Sequence, residues 1–323
     1  MGDVTPTLTG ADTGEPALAA AIEALPGWDR ADTVRSTSLS AGITNRNYLL
    51  ESGDERVVVR VFGADTELLG IDRVAEDVAA RAAADAGVGP PVLAFLPEAG
   101  CLVTRFVDGA PVPVEDLERE EIVGAVVRSV RAIHACPPLP SSFPVFRIVE
   151  DYAALASGRG VDVPPAYAEA HELAARIERA VGTAPLAVRP CHNDLLNANF
   201  LRDGDHVWIL DYEYAGMGDP FFDLANLSIN NGMSGYAQEM LLRAYFGEVT
   251  DGHRARLGLM RVMSDLREAM WGVVQQALST LDVDYVEYAA RHFARLLGTA
   301  RDERLPSWLE AAAAPLPAVH SVP

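Results

Sequence analysis

The sequence predicts an α+β protein built from two lobes, a small β-rich N-lobe and a larger, mostly helical C-lobe. Roughly the first hundred residues carry short, apolar, strand-like runs that are separated by turn signals. Beyond residue 107 the apolar residues recur at helical spacing over long segments. The chain has 323 residues, which is enough to bury a core in each lobe.

We expect the N-lobe to span residues 1–107, with residues 1–15 as a loose tail because they are polar and rich in turn-forming residues. The segment EPALAAAIEAL favours a short helix. Three strands follow over RSTSLSA, NYLLES and RVVVRVF, separated by the turn signals GITN and SGDE. The segment LLGIDRVAEDVAARAAADAG has helical spacing and ends at Gly87. Two further strands, VLAFL and CLVTRFV, complete an antiparallel sheet with one inserted helix.

The C-lobe is expected over residues 108–323, and the two lobes join near residues 105–110. An amphipathic helix over VEDLEREEIVGAVVRSVRAIHA is stopped by Pro137 and Pro138. The segment YAEAHELAARIERAVG favours a second helix. The segment ANFLRDGDHVWILDY predicts a hairpin with its turn at DGD. From Pro220 onward the pattern is mainly helical.

The composition restricts the classes of partner. The formal charge is −20 and the isoelectric point is about 4.7, which argues against nucleic acid and anionic membranes as partners. Three cysteines without regular spacing give neither a disulfide framework nor a zinc pattern, and they indicate a reducing cytoplasm. No secretory signal and no membrane-spanning run is visible. The chain contains no lysine, so arginine supplies every basic side chain other than histidine.

A polar run inside the segment CHNDLLNANFL is the strongest chemical signal in the chain. Segments rich in leucine and phenylalanine rarely accept so many polar groups, because each one buried without a partner costs about 1–3 kcal/mol. The segment fits the pattern H-x-D-x-x-x-x-N with His192, Asp194 and Asn199. Asp211 follows one hairpin later, in ILDYEYAGMGDPFFDLAN. Because Asp194 and Asp211 flank the hairpin, both can face one cleft.

Phosphoryl transfer needs such an arrangement. One carboxylate orients the acceptor hydroxyl and accepts its proton, while a second carboxylate and an amide oxygen hold Mg²⁺ on the nucleotide phosphates. The segments HNDLLNANFL and LDYEYAGMGDPFFDLAN resemble the aminoglycoside phosphotransferase/choline kinase family, which has a protein-kinase-like fold. The resemblance covers nearly the whole chain and leans toward the choline/ethanolamine kinase branch.

This resemblance implies roles for the residues of the two motifs. Asp194 becomes the catalytic base, and His192 becomes a structural brace of the catalytic loop. Asn199 and Asp211 become the magnesium ligands. Asp223, in GDPFFDLA, would hold the catalytic loop through backbone hydrogen bonds. The implied cofactor is Mg²⁺, with ATP as the co-substrate.

The resemblance also implies nucleotide contacts in two turns of the N-lobe. The turn SAGITNRNY would cover the ATP phosphates, and its candidate residues are Gly42, Thr44 and Asn45. One glycine matches a G-x-G-x-x-G loop poorly, so an ordinary hairpin turn is an equal alternative. In CLVTRFVDG, which matches the segment between the lobes, the adenine edge would bond to the carbonyl of Arg105 and the N–H of Val107.

The strand RVVVRVF should carry the cation for the α- and β-phosphates. Arg60 is the matching residue, and its partner should be Glu76 in the helix segment IDRVAEDV. Arg56 is the alternative, but it lies at the turn end of the strand. Arg60 is favoured because an unpaired charge in the middle of an apolar strand is costly.

The acceptor site is predicted from helical segments of the C-lobe. The helix SDLREAMWGVVQQAL places Glu268, Trp271 and Gln275 on one face by three- and four-residue spacing. In LDVDYVEYAARHF, two tyrosines three residues apart also share a helix face. The resemblance implies an aromatic box that surrounds a quaternary ammonium group through cation–π contacts. Residues that match or adjoin this box are Tyr214, Trp271, Tyr285 and Tyr288, and helix-on-helix packing is the alternative for each.

Two departures from the family pattern weaken this box. Asn230 stands where choline kinases have an acidic residue, and Val274 stands where they have a second tryptophan. A smaller and less anionic box should hold a quaternary ammonium less tightly.

The sequence therefore predicts an ATP- and Mg²⁺-dependent kinase that phosphorylates an amino alcohol, with choline or ethanolamine first. An aminoglycoside or sugar-like alcohol phosphotransferase of the same fold is the first alternative. A catalytically dead nucleotide-binding module is the second. Such a module would normally have lost Asp194, Asn199 or Asp211, and all three are present.

Overall fold

The computed structural model describes residues 7–39 and 45–316, where a β-rich N-lobe precedes a mostly helical C-lobe, as predicted. The strands of the N-lobe are β1 Thr7–Gly10, β2 Thr33–Leu39, β3 Arg46–Ser52, β4 Glu55–Val61, β5 Val92–Leu96 and β6 Cys101–Arg105. They form one sheet in the order β1-β2-β3-β4-β6-β5. Strand β1 runs parallel to β2, and the other neighbours are antiparallel.

Helix α1 (Pro16–Ala24) packs against the sheet. In β4, Val57, Val59 and Val61 are buried and alternate with partly exposed residues, as expected for a strand with one covered face. These valines share a core with Leu18 of α1. The alternation leaves every second residue of β4 facing away from that core.

The loose tail expected over residues 1–15 is ordered from β1 onward, so that prediction is wrong for its described part. Strand β1 pairs with β2 at the edge of the sheet. The Tyr48 hydroxyl donates to Asp12 at 2.9 Å, and Glu15 pairs with Arg46 at 2.6 Å. Strand β1 is a mostly exposed edge strand, so its composition is polar. Polar residues are also typical of turns, and the sequence therefore did not identify the strand.

Helix α2 (Arg73–Asp85) connects the two lobes. It begins after Asp72, whose side chain accepts two backbone N–H groups of the first turn. Its buried alanines, including Ala79 and Ala83, belong to the core of the C-lobe rather than to the core beneath the sheet. This packing holds Glu76, which is also buried, at the junction of the lobes.

The C-lobe contains eight helices and five short strands among the described residues. The helices are α3 Glu120–His134, α4 Val145–Gly158, α5 Ala166–Thr183, α6 Pro220–Asn230, α7 Gly235–Phe246, α8 Asp251–Leu278, α9 Tyr285–Ala300 and α10 Leu305–Ala312. The strands are β7 Ala110–Pro111, β8 Arg189–Cys191, β9 Phe200–Asp203, β10 His206–Ile209 and β11 Gly216–Gly218. Strands β9 and β10 form the predicted hairpin, β7 lies beside β9, and β8 pairs with β11.

Helix α8 lies at the centre of the C-lobe, in contact with α4, α6, α9 and α10. Most of its residues are buried, which is the pattern of an interior helix. It nevertheless contains the buried charged residues Asp265, Arg267 and Glu268, each of which needs a partner. Within the described ranges, no helix is both long and apolar enough to cross a membrane.

Candidate active site

The loop after β8 carries the H-x-D-x-x-x-x-N motif, and a buried histidine holds its shape. His192 is fully buried, its Nε2 donates to the carbonyl oxygen of Leu210 at 2.8 Å, and its Nδ1 accepts the N–H of Asp194 at 3.2 Å. This pair of bonds requires a neutral ring, and burial lowers the pKa of His192 accordingly. His192 therefore ties the backbone of Asp194 to the residue before Asp211.

Asp223, in α6, holds the same loop. Its carboxylate accepts the N–H groups of His192 at 2.8 Å and Asn193 at 2.6 Å. His134 donates Nε2–H to it at 2.9 Å, and the hydroxyl of Tyr245 donates to Nδ1 of His134 at 2.6 Å. Burial favours the neutral acid, but these donors outweigh it, and the pKa of Asp223 is lowered. The structure thus contains the backbone hydrogen bonds expected of Asp223.

Asn199 and Asp211 bring two side-chain oxygens to this loop. Asn199 donates its Nδ2–H to the carbonyl oxygen of Asp194 at 2.9 Å, which leaves its side-chain oxygen for a metal ion. The N–H of Leu210 donates to the carbonyl oxygen of Asn199 at 2.9 Å, so the residues beside Asp211 are fastened to the loop. Asp211 already pairs with one cation, Arg60. A carboxylate and an amide oxygen are ligands that Mg²⁺ prefers, so these residues fit that ion.

Arg60, rather than Arg56, is the cation of β4 that reaches the motif loops. Its Nη1 lies 3.2 Å from Oε1 of Glu76 and also contacts Asp211. Burial lowers the pKa of Arg60, but the carboxylates of Asp211 and Glu76 outweigh it, and the pKa is raised. Arg56 instead pairs with Asp108 near the surface at 2.5 Å. The predicted ion pair between Arg60 and Glu76 is therefore present.

A second set of charges beside this pair was not predicted from the sequence. Arg73 Nη1 donates to Glu76 at 2.7 Å and to Glu213 at 3.3 Å. Asn45 accepts from Arg73 at 3.0 Å and donates to Glu213 at 2.8 Å. The side chain of Asn45 thus joins the two lobes, and its contact with the phosphates stays a prediction. The three-residue spacing between Arg73 and Glu76 on α2 was the available signal.

The remaining nucleotide-side predictions fall in turns and between the lobes. Gly42 and Thr44 lie outside the described residues. Arg105 is the last residue of β6, and Val107 follows it in the segment between β6 and β7. Arg105 pairs with Val57 of β4 in the sheet. Both residues therefore lie where the chain passes from one lobe to the other, and their contacts to an adenine ring stay predictions.

The aromatic residues predicted for the acceptor site lie together where α8, α9 and the segment after β10 meet. The ring centre of Trp271 is 5.6 Å from that of Tyr288 and 6.0 Å from that of Tyr285. Its Nε1–H donates to the hydroxyl of Tyr214 at 3.0 Å. Tyr288 is partly exposed and the other three are buried. The structure therefore gathers the four predicted residues into one packed cluster.

Glu268 joins this cluster to the catalytic loop through Arg267, which was not predicted from the sequence. Its Oε2 accepts the hydroxyl of Tyr288 at 2.7 Å, and its Oε1 accepts from Asn230 at 3.4 Å. Arg267 Nη1 donates to the same Oε1 at 2.7 Å and lies 3.7 Å from Oδ1 of Asp194. The sequence signal for Arg267 was an arginine among the apolar residues of an interior helix. The same argument, that an unpaired charge among apolar residues is costly, favours Arg60 in β4.

The electrostatics of this side depend on Arg267. Burial raises the pKa of Asp194, and the guanidinium of Arg267 opposes that rise. Burial also acts to raise the pKa of Glu268, but the attraction of Arg267 outweighs it, and the pKa is lowered. The site thus keeps Glu268 charged, and Arg267 places a positive charge beside two carboxyl groups, those of Glu268 and Asp194.

The chain is similar in sequence to known proteins. A family model described as the phosphotransferase enzyme family matches residues 36–259. Ethanolamine kinase 2 of Rattus norvegicus is 27% identical over 306 residues, which cover 84% of this chain and 77% of that protein.

Two solved structures are similar to this chain. A choline/ethanolamine kinase family protein from Mesorhizobium loti is 31% identical, with a TM-score of 0.79 over 91% of this chain and 97% of that one. The choline kinase LicA of Streptococcus pneumoniae is 22% identical, with a TM-score of 0.70 over 81% of this chain and 93% of that one. At that identity the second likeness concerns the fold alone. The expected protein-kinase-like fold is confirmed.

Proposed function

The chain belongs to the phosphotransferase enzyme family, and we propose that it transfers the γ-phosphoryl group of ATP to the hydroxyl of an amino alcohol. The observation that carries this proposal is the position of Asp194. It lies on a loop held by buried hydrogen bonds, between two oxygen ligands on one side and a charged aromatic cluster on the other. Relatives of the chain that are named ethanolamine kinase support an alcohol acceptor that carries an amine.

Each residue has a role that its contacts allow. Asp194 accepts the hydroxyl proton as the acceptor oxygen bonds to the γ-phosphorus, and the bond from that phosphorus to the β,γ-bridging oxygen breaks as ADP leaves. Mg²⁺ held by Asn199 and Asp211 supplies charge neutralisation at the phosphates when it is bound. Arg60, fixed by Glu76, donates to the α- and β-phosphates. Catalysis then rests on positioning and electrostatics, with no covalent intermediate.

The acceptor amine lies against the aromatic cluster in this proposal. The Tyr288 hydroxyl and Asn230 both donate to Glu268, and the ring of Trp271 lies against that of Tyr288. A cation beside such rings gains cation–π attraction. Tyr214 connects this region to the magnesium side, because it follows Asp211 by three residues. We also propose the reducing cytoplasm as its location, because the three cysteines have no regular spacing.

A phosphorylation screen tests this function. Wild-type enzyme is incubated with radiolabelled Mg·ATP and, separately, with choline, ethanolamine, an aminoglycoside, a neutral sugar or no acceptor. We expect labelled product only with the amino alcohols. Product with the aminoglycoside or sugar, and none with an amino alcohol, would identify an aminoglycoside or sugar-like alcohol phosphotransferase instead. Absence of transfer to any acceptor and of Mg²⁺-dependent ATP hydrolysis would identify a dead module.

A further inference from the structure

The acceptor side already contains a cation of its own. The guanidinium carbon of Arg267 lies 4.3 Å from the ring centre of Tyr214. The same side chain donates to Glu268 at 2.7 Å and lies 3.7 Å from Asp194. It is only 2% exposed, so water screens its charge weakly. Arg267 thus occupies an aromatic face that the predicted box would offer to an ammonium group.

This arrangement disfavours a quaternary ammonium in two ways. A trimethylammonium group binds chiefly through open aromatic faces and a nearby anion. Here one face of Tyr214 is covered by Arg267, and the carboxylate of Glu268 accepts from Arg267, Asn230 and Tyr288. A second cation of either kind on that face would meet a like charge in a poorly screened region, so the bound amine needs further contacts, and N–H donors can make them.

Asn230 favours an amine that carries hydrogen atoms. Its side-chain nitrogen donates to Glu268, whereas its Oδ1 is shielded from solvent and has no hydrogen-bond partner among the described residues. A shielded acceptor without a donor is unfavourable, and a ligand that supplies an N–H recovers that loss. A primary ammonium has three such donors, and a trimethylammonium group has none.

We propose that Arg267 sets the amine selectivity of this site, so that the acceptor is a primary amino alcohol anchored at Asn230 and its trimethylated counterpart is excluded. This inference rests on the proposed function and narrows its substrate class. The guanidinium of Arg267 occupies the cation–π position on Tyr214. The acceptor amine is therefore recognised through the N–H groups that it carries. Ethanolamine and choline are the matched probes, because they differ only in the three methyl groups on nitrogen.

The test measures kcat and KM for both probes in wild type and in Arg267→Ala, Arg267→Lys and Asn230→Leu. Wild type should prefer ethanolamine by roughly tenfold or more in kcat/KM, the size of one desolvated cation–π contact. Arg267→Ala uncovers Tyr214 and should move that ratio toward choline by roughly tenfold, mainly through KM. Arg267→Lys keeps the charge and should keep the preference. Asn230→Leu should raise KM for ethanolamine alone.

Arg256 provides the matched control. It is another buried arginine of α8, and it bonds to the carbonyl oxygens of Ala184 and Ala312, away from the candidate site. Arg256→Ala should leave the ratio of the two probes unchanged, whatever its effect on stability. If Arg267→Ala does not fold, the paired variant Arg267→Met with Glu268→Gln removes both charges and should also shift the ratio.

Three results would overturn the inference. A wild-type preference for choline would do so while leaving the kinase function intact. An unchanged ratio in every folded Arg267 variant that lacks the charge would show that Arg267 is structural. Phosphorylation of neither probe would overturn both this inference and the proposed function.

Discussion

Two arginines reach the candidate catalytic loops, one from each lobe, and each pairs with a glutamate. Arg60 of β4 contacts Glu76 and Asp211, whereas Arg267 of α8 contacts Glu268 and approaches Asp194. We call these sets the nucleotide-side cluster (Arg60, Glu76, Asp211) and the acceptor-side cluster (Arg267, Glu268, Asp194). Both place a fixed positive charge beside an aspartate of a motif.

The clusters differ in the exposure of the arginine and in whether the cluster lies within one lobe. The side chain of Arg60 is 15% exposed and spans from one lobe to the other, so a shift of the lobes changes its contact with Asp211. Arg267 is 2% exposed and lies beside its glutamate on one helix, within one lobe. The nucleotide-side cluster can therefore exchange its arginine for another cation on Asp211, whereas the acceptor-side cluster keeps its charge permanently.

The largest effect that distinguishes the two clusters should follow from replacing Asp211. Asp211→Ala should abolish the tightening of ATP binding by Mg²⁺ and reduce turnover by about 10²-fold or more, because metal charge at the phosphates is worth several kcal/mol. Asn199→Ala should weaken the same response. Titrations of ATP with and without Mg²⁺ measure it. An unaltered response to Mg²⁺ in either variant would remove that residue from the ligand set.

Both clusters depend on the loop that Asp223 holds. Asp223→Ala leaves the buried N–H groups of His192 and Asn193 without their acceptor, and should lower the free energy of unfolding by about 3 kcal/mol or more. Asp219→Ala removes one N-terminal cap bond of α6, to Phe221, and should cost about 1 kcal/mol. Urea unfolding measures both. Equal losses in the two variants would contradict the bracing role of Asp223.

The same carboxylate predicts a pH dependence of stability. Its pKa is lowered below the ordinary value of 3.8 in the folded chain. The ionised form of Asp223 therefore contributes stability above pH 3.8, and this contribution is lost as the pH falls through the lower folded value. Comparison of urea midpoints with Asp223→Asn should show a smaller acid loss in the variant. Parallel pH curves would assign the acid sensitivity to other groups.

A moderate effect is expected from changing the shape of the nucleotide-side cation. Arg60→Lys keeps the charge but loses the planar fork that pairs with Glu76, and it should raise the KM for ATP by about tenfold. Arg56→Lys is the control, because Arg56 pairs with Asp108 at the surface. If Arg60→Ala leaves both the KM for ATP and turnover unchanged, another arginine carries the role.

The smallest effect should appear on the acceptor side. Trp271→Ala should raise the KM for the amino alcohol several-fold, since a desolvated cation–π contact is worth roughly 2 kcal/mol at most here. The KM for ATP should stay nearly the same, because Trp271 contacts Tyr214, Tyr285 and Tyr288 rather than the nucleotide-side cluster. Equal changes in both constants would indicate a packing role only.

The nucleotide-side cluster could be predicted because its residues stand in contrast to their neighbours. Arg60 interrupts an apolar strand, and Asp211 follows the hairpin that comes after the spaced motif H-x-D-x-x-x-x-N. Arg267 stands in equal contrast on α8, but the pattern that predicted the acceptor site did not include it. Its role emerges only when α8 packs against the loop of Asp194, a contact between residues 73 positions apart.

Strand β1 and helix α4 are among the elements that were not predicted, for related reasons. Strand β1 is a short, exposed edge strand, so no apolar alternation identifies it. Helix α4 begins at Val145, after a segment rich in proline and serine that is typical of a loop. Both elements are stabilised by neighbours distant in the sequence, such as β2 for β1 and α8 for α4. Local patterns therefore predicted the strands and helices whose own residues show apolar alternation or helical spacing.

The central claim is that Asp194 accepts the proton of an amino alcohol during transfer from ATP. The most direct measurement follows the product by ³¹P NMR for wild type and Asp194→Asn, with nucleotide binding measured in parallel. Wild type should form a phosphate monoester of the amino alcohol and ADP in equal amounts. Asp194→Asn should bind Mg·ATP normally and lose about 10²–10⁴-fold in turnover. Turnover near that of wild type in the variant would contradict the account.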